Sequence, residues 1–135
     1  MVNPFALSFF LGGTRMNSRI EKEQWLAFCD NLSKTLHGYE ARLEIIGRAF
    51  GDQEESAWLP FTGLSYDPHH GQIFVTLGGM SSQYPVHLTH AVDSPTVLHA
   101  RKNEAGELTS ILIVNSDKSE LLIHLRRQSR LASAD

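Results

Sequence analysis

Apolar positions recur every second residue along most of this chain and every third or fourth in one early stretch, and that change of period sets the predicted elements. The densest pattern lies between Leu108 and Arg126, where the runs Leu108 to Val114 and Leu121 to Leu125 flank the polar turn Asn115-Ser116-Asp117-Lys118-Ser119. Two runs rich in Ile, Leu and Val about such a turn predict a β-hairpin. Their apolar character is nearly continuous, so both faces of at least one strand should be covered, which places the hairpin inside a sheet and not at its margin.

The early stretch predicts a helix. Ser18-Arg19-Ile20-Glu21 has the form of a capping box. Trp25, Phe28, Leu32 and Leu36 follow as one apolar stripe with Cys29 beside them, while Lys22, Glu23, Asp30 and Lys34 face water. Gly38 supplies the left-handed residue that commonly ends a helix. The predicted helix runs about 19 residues, near 28 Å, and its stripe needs a sheet to pack on.

After Gly38 the period becomes two. Ala41, Leu43 and Ile45 alternate with Arg42 and Glu44 in a predicted strand from Tyr39 to Arg48, followed by a polar, acidic loop over Gly51 to Ser56. Trp58 to Tyr66 and Gln72 to Leu77 form a second predicted hairpin about Asp67-Pro68-His69-His70-Gly71, and Pro60 places its strand at an edge or a bulge. Gly78 to Ser82 is a connection. Val86, Leu88 and Val92 mark one face of the next strand, and Leu98 with Ala100 a face of the one after it. If Asp93-Ser94-Pro95 makes these two neighbours, Leu88 lies opposite Ala100 and His90 opposite Leu98, with His90 inward and His87 and Thr89 outward. The expected fold is α+β: one N-terminal amphipathic helix packed on an antiparallel β-meander of about six to seven strands, able to curl into a partial barrel. Residues 18 to 127 are read as a single domain, with 1 to 17 an N-terminal extension and 128 to 135 a C-terminal tail.

The helix segment Glu23 to Phe28, the strand end Leu59 to Asp67 and the turn His90-Ala91-Val92-Asp93-Ser94-Pro95 before the last hairpin resemble a family of small bacterial proteins classed only as a domain of unknown function. The resemblance covers roughly Ile20 to Arg127. It implies a bacterial source and supplies no established activity, ligand or catalytic residue.

Composition narrows the classes of function. A chain of 135 residues fits one domain that needs no metal or disulfide to hold it. Twelve Lys and Arg against 15 Asp and Glu make no general case for nucleic acid or anionic membrane, and Arg126, Arg127 and Arg130 read as a solvated end. Cys29 is the single cysteine, so no intramolecular disulfide forms and a reducing cytoplasm is the expected setting. The apolar stretch Pro4 to Leu11 is far shorter than the roughly 18 residues a membrane span needs, and no basic residue precedes it. The simplest account starts translation at Met16 and leaves residues 1 to 15 as an upstream extension.

Seven histidines invite a metal reading. His87 and His90 project to opposite faces of a strand, so one ion does not readily take both. His69 and His70 beside Asp67 read as a solvated turn tip, and Cys29 as packing. Gly78-Gly79 does not have the ending of a phosphate loop, and Asp52, Glu54 and Glu55 read as a solvated acidic loop. Trp58, Phe61, Tyr66 and Phe74 could stack bases but carry no interleaved Lys or Arg. No catalytic set, metal site or cofactor is assigned. The ligand-binding candidates are His90, His87, Tyr66 and Asp67. The favoured reading is a non-enzymatic binding or interaction module whose partner is a second copy or another protein, and the alternative is a small enzyme or metal protein using His90 with His69, His70 or His87.

Overall fold

The computed structural model of the chain describes residues 16–47, 51–54, 57–79 and 87–128. Residues 1–15, the Met80-Ser81-Ser82 connection, Val86 and Arg130 lie outside them. The strands are β1 (Met16–Arg19), β2 (Tyr39–Gly47), β3 (Gly51–Glu54), β4 (Leu59–Asp67), β5 (Gln72–Gly78), β6 (His87–Asp93), β7 (Pro95–Lys102), β8 (Leu108–Asn115) and β9 (Glu120–Arg127), and the helix α1 spans Trp25–Thr35. All pairings are antiparallel, in the order β1-β7-β8-β9-β2-β4-β5-β6, with β3 on β2. The fold is α+β, with more strands than expected and a sheet that does not close.

The β8–β9 hairpin sits inside the sheet, with β7 on one side and β2 on the other. Its turn is held by Asn115, whose Oδ1 accepts from the Asp117 and Ser119 amides at 3.2 and 3.1 Å and from the Ser119 hydroxyl at 2.9 Å. One face of the hairpin buries Ile111, Ile113, Leu121, Ile123 and Leu125 in the core, against Leu43, Leu98 and the α1 stripe Trp25, Cys29, Leu32 and Leu36.

Four expectations change. Ser18 does not cap a helix: it lies in β1 opposite Ala100, and Met16 and Asn17 belong to the same strand. The sheet edge offers that segment a ladder of hydrogen bonds, so the helix begins later, as a short 3₁₀ turn at Lys22–Gln24 leading into an α-helix of 11 residues. Gly38 ends it as expected, at φ 81°. The acidic stretch Gly51–Glu54 is a strand paired with Glu44–Gly47, a position where polar residues are tolerated because it is an edge. β6 and β7 are not neighbours. His90 pairs with Val75 on β5, and Leu98 and Ala100 pair with Ile113 and Ile111 on β8. Only Ser94 separates these strands, at φ 51°, and its amide and carbonyl bond to Gly71 and Ser116 at 2.9 and 3.0 Å. The chain therefore turns a corner between the two halves of the sheet instead of folding back on itself.

The halves meet where β2 pairs with β4 at Leu59 and Pro60 only. Beyond a bulge between Phe61 and Gly63, the free edge of β4 is covered by α1: the Leu64 amide donates to Ser33 Oγ at 3.0 Å, and that hydroxyl donates back to the Leu64 carbonyl at 2.9 Å.

Candidate functional site

The four sequence candidates do not share one cavity. His90 faces the core side of β6 beside Ile45, Val92 and Leu121, next to a void of about 50 Å³. His87 is exposed on the opposite side, with its ring lying against Gly79. Tyr66 packs edge-on against Trp25 at 5.2 Å between ring centroids, and both line a cleft of about 290 Å³ with Lys22, Ser94, Pro95 and Thr96. The Trp-bearing helix, the Gly63-to-Asp67 strand end and the turn at Pro95 thus meet at one end of the molecule. Asp67 belongs to the turn that follows: its Oδ2 lies 2.7 Å from His70 Nδ1, and its Oδ1 accepts from the His69 amide at 2.9 Å. The His70 ring, with the two amides helping, holds the Asp67 carboxyl below the usual carboxylate range. Among the described residues no group of three or more His, Cys, Asp or Glu is placed to hold a metal ion.

A different surface gathers polar groups. On the face of β7, β8 and β9 turned away from α1, cross-strand pairing sets Asn17, Arg101, Ser110, His124 and Arg42 in one row. Directly opposed strand residues have Cβ atoms roughly 5 Å apart, so the row is continuous across five strands. The next row holds Arg19, His99, Leu112, Leu122 and Glu44. Two adjoining hollows open over these rows. One, of about 610 Å³, is walled by Arg101, Lys102, Glu104 and His124, and the other, of about 430 Å³, by Asn17, His99, Arg101 and Glu120, while Ser110 and Leu122 line both.

Each polar group in this groove has a definite state. Arg101 Nε donates to Asn17 Oδ1 at 3.1 Å, which orients the guanidinium and leaves its terminal nitrogens without a partner among the described residues. His124 Nε2 lies 2.8 Å from Glu44 Oε1, so that ring is held in place. The His99 ring has no hydrogen-bond partner among the described residues, and partial burial together with the charges of Arg19 and Arg101 lowers its pKa from the ordinary imidazole value. Ser110 is the buried polar residue among those described, 9% exposed, and it lines both hollows; no buried side-chain nitrogen or oxygen among the described residues is left unpaired. Leu112 and Leu122 are half-buried although no strand or helix among the described residues covers them. The nearly continuous apolar runs of β8 and β9 call for both faces of a strand to be covered; one face is buried in the core, but the other has no strand or helix over it among the described residues, and neither spacing nor any motif singled out Arg101, Ser110 or His99.

Comparison with known proteins adds identity without chemistry. The chain belongs to a family of unknown function (DUF5335), whose sequence profile matches residues 16–134. It is similar to an uncharacterised protein of Aquifex aeolicus (strain VF5), 31% identical over 107 residues, which cover 79% of this chain and 89% of that protein. No solved structure matches it.

Proposed function

We propose that this protein is a non-enzymatic binding module and that the groove over β7, β8 and β9 is its binding surface. One observation carries this reading: Leu112 and Leu122, paired with each other one row along from Ser110 and Arg101, lie half-buried on a face that the fold does not use for its core, with no strand or helix over them among the described residues. Leaving apolar side chains against water is unfavourable, and an occupant of the groove relieves it. A hollow of about 430 Å³ in which Leu112 and Leu122 lie beside Asn17, His99, Arg101, Ser110 and Glu120 has the dimensions of a small-molecule site. The reading built on His90 fits less well, since about 50 Å³ beside that ring holds little more than water. We assign the protein to a reducing cytoplasm, on its single buried free thiol.

The test is a thermal-shift screen of a chemically diverse compound set on the full chain, with hits mapped by amide chemical shifts. Hits are expected to perturb Val97 to Lys102, Thr109 to Val114 and Glu120 to His124. Hits clustering instead around His87, His90, Tyr66 and Asp67 would overturn the placement in favour of that set.

A further inference from the structure

We propose that the groove takes a small oxyanion, a carboxylate or a phosphate on a flat apolar body, with the anionic end held by the Arg101 guanidinium, the His99 ring and the Ser110 hydroxyl. This rests on the groove being the binding surface and names the chemistry of its occupant.

Arg101 is prepared for such a ligand. Its Nε is committed to Asn17, so the guanidinium is held at one angle, and Arg101 lines both hollows of the groove. The ion pairs formed on the neighbouring strands belong to other residues: His124 with Glu44, Arg126 with Glu40 and Arg127 with Glu107. An orientated guanidinium with spare donors matches the two oxygens of a carboxylate or phosphate. Arg19 stands beside His99 on the next strand, so positive charge gathers at the β1–β7 side of a chain whose net charge is -3. Ser110 lies directly across from Arg101, where its hydroxyl can donate to the same oxyanion.

The remaining walls restrict what the oxyanion is attached to. Leu112 and Leu122 form the floor one row away, an apolar surface on the broad face of a sheet, which suits a flat body. Glu120 lies four residues along β9 from the row of Arg101, roughly 13 Å at strand rise, and lines the far end of the hollow. A second negative charge there would be repelled. The ligand therefore carries its charge at one end and a neutral or hydrogen-bond-donating group at the other.

The experiment titrates the isotopically labelled full chain with benzoate, phenyl phosphate and the neutral analogue benzamide, following backbone amide shifts, and repeats each titration on Arg101→Ala and Ser110→Ala. Arg101 is exposed, and the dispersion of the variant's own spectrum reports whether it folds. At least one anion is expected to give saturable shifts on β7 to β9, weakened about tenfold or more by Arg101→Ala, with benzamide correspondingly weak. The tighter of benzoate and phenyl phosphate identifies the kind of oxyanion. Equal binding of benzamide, or anion binding indifferent to Arg101→Ala, overturns the oxyanion assignment and leaves the groove as binding surface. Failure of all three probes while the compound screen still maps to the groove has the same meaning. Saturable shifts confined to other strands overturn both readings.

Discussion

Removing the Ser33 hydroxyl is the sharpest perturbation of this fold, because one oxygen completes the edge of a strand. β4 pairs with β2 only at its first two residues, so beyond the bulge the Leu64 amide and carbonyl have no strand on the side away from β5. Ser33 Oγ takes that place, accepting from the Leu64 amide at 3.0 Å and donating to the Leu64 carbonyl at 2.9 Å, with the Cys29 carbonyl 3.1 Å away. Leu64 is 2% exposed, so water does not readily substitute. In Ser33→Ala the amide is left unsatisfied at a cost of about 1–3 kcal/mol, and the carbonyl loses a bond worth about 1 kcal/mol. Alanine in a helix interior returns roughly 0.5 kcal/mol. The expected net loss is about 2 kcal/mol, which at a slope of about 2 kcal/mol per molar moves the urea midpoint down by about 1 M. Lys34→Ala, one residue along on the solvent side, serves as the control and should stay within about 0.5 kcal/mol of the parent. Hydrogen exchange at the Leu64 amide should quicken in Ser33→Ala alone. A midpoint within the control's range, with Leu64 exchange unchanged, would show that α1 packs on β4 without stitching its edge.

Other consequences can be measured with the same material. Ile123→Ala empties a fully buried site at the middle of β9 and should cost about 3 kcal/mol, whereas Arg127→Ala removes the exposed pair with Glu107 at 2.7 Å and the contact of its guanidinium with the Tyr39 ring, both at the surface, and should move the midpoint little. Burial, reinforced by Asp30, pushes the Cys29 thiol up to about 12, so iodoacetamide at pH 8 should label the unfolded chain only; stoichiometric labelling of the folded protein would contradict the packing. His99 is neutral in the fold at a pH where the unfolded chain already takes up a proton, so its share of stability is present above the unfolded value near 6.5 and is lost as pH falls from there toward the lowered value. Comparing urea midpoints at pH 7.5 and 5.5, His99→Gln should lose less than the parent. The charged groups near that ring are Arg19 on β1, Arg101 on β7 and, farther along, Glu120 on β9. An oxyanion at Arg101 favours the protonated ring, so its affinity should rise as the pH is lowered over the same range, and affinity flat with pH would remove His99 from the site.

What the sequence settles by itself is whatever depends on neighbours two to four residues away. Alternation from Tyr39 onward assigns Ala41 and Leu43 to the core and places His90 inward and His87 outward; Pro60 calls for an edge or a bulge, and a bulge follows between Phe61 and Gly63; the stripe Trp25, Phe28, Leu32 and Leu36 with Cys29 beside it identifies the buried side of the helix, where Phe28 is only half-buried. Period fixes the face on which a side chain stands, and a face is a local property. Which strand lies alongside is not local. Ser18 joined a sheet edge supplied by residues 99 and 100, Gly51–Glu54 paired with β2, and β6 and β7 parted at Ser94 because their partners lay in opposite halves of the sheet. The groove depends wholly on such pairings. Arg101, Ser110 and His124 are unremarkable outward positions on three strands, and they form one row only because the register of β7, β8 and β9 sets them opposite one another, which no spacing along the chain encodes.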